Sequence, residues 1–128
     1  MLTLRNPDNV APPFGNYTHS VEVGANARWL HVSGQVGVMP DGRMAEGISA
    51  QCEWAFKNLL EILGQAGMNL SDVVKTTTYL VNAGHVSAFR EVRNRVIGDA
   101  RPASTLVVVE ALAAPEWLVE IELIAARP

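Results

Sequence analysis

The chain has 128 residues, 13.8 kDa, 48% hydrophobic and 18% charged, which is the size and make-up of one folded domain and excludes a disordered chain. A formal charge of -3 and a pI near 5.5 argue against a general nucleic-acid binder. The single cysteine, Cys52, excludes an internal disulfide framework.

Residues 1–128 therefore read as a single domain. No run of apolar residues is long enough to span a bilayer, and Met1–Pro13 lacks the pattern of a signal peptide. With one cysteine and no leader, the expected location is the cytoplasm.

In chain order, Asn6–Asn16 is rich in Pro, Gly and Asn and reads as an ordered loop. Thr18–Val23 and Arg28–Ser33 are β-like, and Gly24-Ala25-Asn26 between them predicts a hairpin. Gly37–Gly47 is loop. Ile48–Gln65 predicts a helix, with Ile48, Cys52, Ala55, Phe56, Leu59, Ile62, Leu63 and Ala66 on one stripe and Gly67 as its cap. Val73–Val81 predicts a strand and Val86–Ile97 a second helix, with Val86, Phe89, Val92 and Val96 inward and Gly98-Asp99 as the stop. Ser104–Glu110 and Trp117–Ala126 predict two closing strands, and Leu2–Arg5 is a candidate further strand.

The order β-β-α-β-α-β-β is α+β with a mixed sheet. Two helices cover one sheet face. Leu106, Val107, Val108 and Val109 make a strand apolar on both sides, so the other face also needs a cover. No element remains to supply it, and a second copy of the chain is the simplest one, so a homo-oligomer is expected.

Few residues offer chemistry. His19, His31 and His85 show no ligand spacing, so no metal is expected; a chance meeting of His19 and His31 across the hairpin is the best such pairing. Gly34-Gln35-Val36-Gly37 opens no helix and is no phosphate loop; its glycines suit close backbone approach. Cys52 on an apolar stripe reads as a buried small hydrophobe. Glu120 and Glu122 alternate with Val119, Ile121 and Leu123, so both acids point away from the helix-covered core. Spacing leaves two readings open: an interfacial or strand-edge charge, or a general acid or base. Arg101, Ser33, Ser104, Thr105 and Tyr17 are further polar candidates near strand ends and in the first loop.

Several segments together resemble the Rid family, the YjgF-type reactive intermediate deaminases. They are Gly15-Asn16-Tyr17, Val32-Ser33-Gly34-Gln35, Asp72-Val73-Val74-Lys75-Thr76-Thr77, Arg101-Pro102-Ala103-Ser104-Thr105-Leu106 and Leu118–Ala125, in family order over almost the whole chain. The resemblance implies a chorismate-mutase-like α+β fold, with about five to six strands in a mixed sheet and two helices on one face. It also implies a homotrimer with small-molecule sites in clefts between subunits. The implied activity is hydrolysis of enamines and imines to ketoacids and ammonia, without a cofactor. Members also carry endoribonuclease or translation-inhibitor names, which suit this acidic chain poorly.

Tyr17, Ser33 with Gly34, and Glu120 match the family's cleft positions, and the resemblance gives Glu120 the role of positioning the attacking water. One departure matters. The family's P-A-R-[ST] places an arginine where Pro102-Ala103-Ser104-Thr105 has Ser104. A serine does not replace a fixed cation whose charge-assisted contact is worth about 1.5–3 kcal/mol. Arg101 is the nearby substitute for holding a carboxylate. An asparagine usual in the family's second helix falls on Arg90, Arg93 or Asn94, depending on the gap. Two expectations result: a deaminating hydrolase with an altered substrate, or a trimer that binds a metabolite without turnover.

Overall fold

The computed structural model describes residues 1–128. Six strands and two helices follow in order: β1 (Leu2–Arg5), β2 (Ser20–Val23), β3 (Arg28–Val36), α1 (Ile48–Gln65), β4 (Val73–Leu80), α2 (Val86–Ile97), β5 (Ala103–Val108) and β6 (Val119–Arg127).

Both helices coincide with the apolar stripes in the sequence. α1 buries Cys52, Ala55, Phe56, Leu59 and Leu63 against β3 and β6. It ends where Gly67 takes a φ of 72°, and Met68 N–H returns to Leu63 O at 2.9 Å, closing the last turn. α2 buries Phe89, Val92 and Ile97, while Val86 and Val96 pack at the edge of the core. Phe89 stacks on Phe56 at 6.1 Å between ring centroids and joins the helices. The inner face of β6 contributes Val119, Ile121, Leu123 and Ala125, all at most 4% exposed.

Strand pairing departs from the expectation in two ways. The Thr18–Val23 and Arg28–Ser33 runs do not form a hairpin. β2 pairs instead with β1, Val23 opposite Leu2, while β3 pairs antiparallel with β6 from Arg28–Arg127 to Val36–Glu120. Ala25 and Asn26 (φ 65°) turn the chain, but a turn signal does not dictate which partner its flanks take. β6 offers β3 nine residues of alternating pattern, and β2 offers only four. The strands also do not form one sheet of five or six. The main sheet has four, in the order β3-β6-β4-β5, and β1-β2 is a separate two-stranded ribbon. A single parallel bridge, Thr18 to Ala103, ties the start of that ribbon to β5.

β4 runs antiparallel to β6 and parallel to β5. A mixed sheet results, with β3 and β5 as its two edges. No element of the chain covers the face opposite the helices. Val107 on that face is 39% exposed, and Trp29 on edge strand β3 is 53% exposed.

Candidate functional site

The two acids of β6 point to the open face, as their alternation requires, but their surroundings differ. Glu122 accepts a hydrogen bond from the Tyr79 hydroxyl at 2.6 Å. That bond, with the negative charge beside it, holds the Tyr79 phenol above its ordinary value. Glu120 sits opposite both Val36 of β3 and Tyr79 of β4 and has no hydrogen-bond or ion-pair partner within the chain.

What shapes the space around Glu120 is a bulge. The β3–β6 register slips between Val32 and Gln35, which puts Ser33 and Gly34 in the irregular stretch. A Cβ at Gly34 would lie 2.7 Å from Glu120 Cδ and 2.8 Å from its Cγ. Gly34 therefore makes room for the carboxylate. Gly37 does the same for α1, where a Cβ would lie 2.6 Å from Gln51 Cβ. The close backbone approach expected of these glycines is present at Gly37, against the α1 backbone at Gln51, whereas at Gly34 the neighbour is the Glu120 side chain. Ser33 lies inside β3, because the strand runs on to Val36. It lines an open-face cavity of about 350 Å³ with His31, Lys75, Thr77 and Glu122. Lys75 Nζ donates to Thr105 Oγ1 at 2.6 Å on that face.

Tyr17 and Ser104 are elsewhere. Thr18 N–H donates to Pro102 O at 3.2 Å, and the Thr18 hydroxyl donates to Asn6 Oδ1 at 3.1 Å, which straps the first loop along the start of β5. This brings Tyr17 beside Ser104. They share a cavity of about 200 Å³ with Phe14, Arg90, Arg93 and Leu106. The Tyr17 hydroxyl accepts the Phe14 N–H at 3.1 Å, which leaves its own proton to donate. Ser104 is in register with Thr76, and this residue row faces the helices.

Arg101 folds back on the end of α2, where Nη1 donates to Gly98 O at 2.7 Å and to Ala100 O at 2.8 Å. It closes that helix in the manner of a C-terminal cation. Arg93, which the stripe reading passed over, is only 8% exposed. It lies one turn from both Phe89 and Ile97, on the buried side of α2, and that spacing was the available signal. Burial first, and then the neighbouring Arg90 and Arg101 charges, push its guanidinium below its ordinary value. Cys52 is fully buried, and desolvation pushes its thiol up to about 12.

The candidate residues thus fall into two groups. Ser33, Gly34 and Glu120 lie toward the β3 edge, with Glu120 on the open face. Tyr17 and Ser104 lie at the β5 edge on the helix side. Within one chain they do not share a cavity. His19 and His31 lose the hairpin that would have set them side by side, and no group of three potential metal ligands stands together. No helix is long and apolar enough to cross a membrane.

Comparison with known proteins identifies the family and the fold. The family model described as Endoribonuclease L-PSP matches residues 8–127. A RutC family protein of Pyrococcus abyssi is 34% identical over 115 residues, covering 88% of this chain and 87% of that one. The mouse protein named 2-iminobutanoate/2-iminopropanoate deaminase is 35% identical over 115 residues, covering 88% and 82%. Among solved structures, a Rid family protein of unknown function from Yersinia pestis superposes with a TM-score of 0.87 at 34% identity, covering 98% of each chain. With a matching model over nearly its whole length, these relatives and the same fold, the chain belongs to the Endoribonuclease L-PSP family, the group also called Rid or YjgF.

Proposed function

We propose that this protein is a small-molecule hydrolase of the enamine/imine deaminase type, with its sites in clefts between the subunits of a cytoplasmic homotrimer. The observation that carries the reading is Glu120, a partly buried carboxylate on the open face, seated over Gly34 and free of any partner in its own chain. The name of the mouse relative supports the reaction class.

The reaction consumes one water. Its oxygen attacks the imine carbon while Glu120 takes a proton from it. The C=N π electrons move to nitrogen, which is protonated. The resulting carbinolamine then breaks its C–N bond, and ammonia leaves as the C=O forms. Glu120 passes the first water proton to the nitrogen as the carbinolamine forms and carries the second, from the carbinolamine hydroxyl, to the same nitrogen as it departs, so both protons of the water end on ammonia. The chemistry calls for no cofactor and no metal.

The split of the candidate residues supports the inter-subunit part. Tyr17 and Ser104 sit at one edge of the sheet and Gly34 at the other, so a complete cleft needs the β5 edge of one copy against the β3 edge of the next. The uncovered open face, with Val107 exposed, favours the same assembly. The proposed ligand is a metabolite and not a nucleic acid, in keeping with the charge of -3.

Ser104 favours a second reading, a trimer that binds a metabolite without turning it over. Arg101, the expected substitute for the family's arginine, spends its Nη1 donors on Gly98 and Ala100 carbonyls. The deciding test is hydrolysis of 2-iminobutanoate and 2-aminoacrylate, generated in situ, by wild type, Glu120→Gln and Ser104→Arg. Turnover by wild type that is lost in Glu120→Gln supports the hydrolase. Activity confined to Ser104→Arg supports the binding protein, and turnover unchanged in Glu120→Gln removes Glu120 from the mechanism.

A further inference from the structure

The chain contains four ion pairs: Arg5–Glu22, Arg43–Asp41, Arg95–Glu53 and Arg127–Asp72. Arg90, Arg93 and Arg101 are in none of them, although they lie close enough together for Arg90 and Arg101 to disfavour the charge on Arg93. Arg93 is also the one arginine in the buried set. A largely buried cation without an anion is costly, since much of its hydration is lost. Its protein contacts are weak compensation: Nε and Nη2 both donate to the Asn94 side-chain oxygen, at 3.1 and 3.0 Å, and the guanidinium lies 5.7 Å from the centre of the Phe89 ring.

The surroundings of this cation are built from donors. Nη1 of Arg93, the whole Arg90 guanidinium, the Ser104 hydroxyl and the Tyr17 proton are uncommitted within the chain, and all four residues line the cavity of about 200 Å³. No carboxylate lines it. Ser104 matters here by its size. A longer side chain at that position would fill the space between β5 and α2, whereas serine leaves it open and adds one hydrogen bond.

We propose that Arg93, seconded by Arg90, is the anion-gripping residue of the Tyr17–Ser104 cavity, and that the ligand is a small organic acid held by its carboxylate from the α2 side. A guanidinium presents two parallel donors to a carboxylate, which is the geometry this class needs. The inference rests on the ligand cleft of the preceding section and deepens it: the cation has moved from the strand to the helix, and the class of ligand is an acid, not a neutral imine.

The test is calorimetric titration of the full-length protein at low salt, with 2-oxobutanoate, its neutral amide and inorganic phosphate as probes. Wild type is expected to bind the acid in preference to both other probes, and more weakly as salt is added. Arg93→Met is expected to weaken acid binding about tenfold or more, the loss of a charge-assisted pair, and binding of the amide by a smaller factor. Arg93→Lys, which keeps the charge but not the fork, should fall between them and decides the matter if Arg93→Met does not fold. Three outcomes overturn the proposal: no binding of the acid by wild type, equal binding of acid and amide, or wild-type affinity in the arginine variants. Tighter binding of phosphate than of the acid overturns the carboxylate assignment. Acid binding that depends on Arg93, in a protein that hydrolyses no imine, would sink the hydrolase and leave this inference standing.

Discussion

Glu120 and Gly34 occupy what would otherwise be one space: the carboxylate of the first lies where a side chain on the second would begin, with Glu120 Cδ 2.7 Å from the position of a Gly34 Cβ. The atoms in the way belong to the far end of a flexible side chain, so Gly34→Ala is expected to fold, at a cost of about 1–3 kcal/mol. The carboxylate must move, however, and a misplacement of about 1 Å can cost about a hundredfold in rate. Imine hydrolysis by Gly34→Ala should therefore fall about a hundredfold, while the protein still folds with a melting temperature lowered by only several degrees. Unchanged turnover would show that Glu120 does not act from this position.

Glu122 is the control for Glu120. It shares the face and the charge, but its carboxylate is taken by Tyr79. Glu122→Gln retains an oxygen to accept the Tyr79 proton, so turnover should stay within severalfold of wild type, whereas Glu120→Gln should abolish it. The same variant removes the negative charge that raises the Tyr79 phenol, so Tyr79 should ionise at lower pH in a spectrophotometric titration. Equal loss of activity in both variants would refute the division of roles.

Cys52 couples stability to alkaline pH. Its thiol is pushed from an ordinary 9.0 up to about 12, because burial disfavours the thiolate. The folded state therefore holds a proton that the unfolded state releases. That contribution is complete below pH 9 and is lost as pH rises toward 12. The urea midpoint of wild type should fall more steeply over that window than that of Cys52→Ala. The native thiol should also resist disulfide reagents at pH 8 and react once urea unfolds the chain; rapid modification of the native protein would contradict its burial.

The open face predicts the assembly. Sedimentation at micromolar concentration should show a species of three times the 13.8 kDa chain mass, and Val107→Glu should shift it toward smaller species by placing a charge on that face. Wild type running only at 13.8 kDa would remove the shared cleft.

Part of the site was readable from residue spacing. Alternation along β6 put Glu120 and Glu122 opposite the core, and a glycine beside a strand pointed to close approach at Gly34. Spacing could not separate the two acids, since the Tyr79 bond that occupies Glu122 spans 43 residues. Nor could it find Gln51, which is 3% exposed on α1. Its amide donates to Ala45 O and Glu116 O and accepts the Leu118 N–H, pinning the approach to β6. A glutamine in a helix reads as surface until the loops that bury it are in place.

The sequence by itself determined the two helices, whose ends at Gln65 and Ile97 match the last apolar turns before Gly67 and Gly98, and the inward face of β6. These are local matters: periods of 3.6 and two residues and the backbone freedom of glycine act over a few neighbours. Only the tertiary structure decided that β3 pairs with β6 and not β2, that β4 lies between β6 and β5, and that Arg93 turns inward beside Tyr17 and Ser104. Each of those is a choice among distant partners, settled by which pairing buries the most apolar surface and by where that leaves the charges.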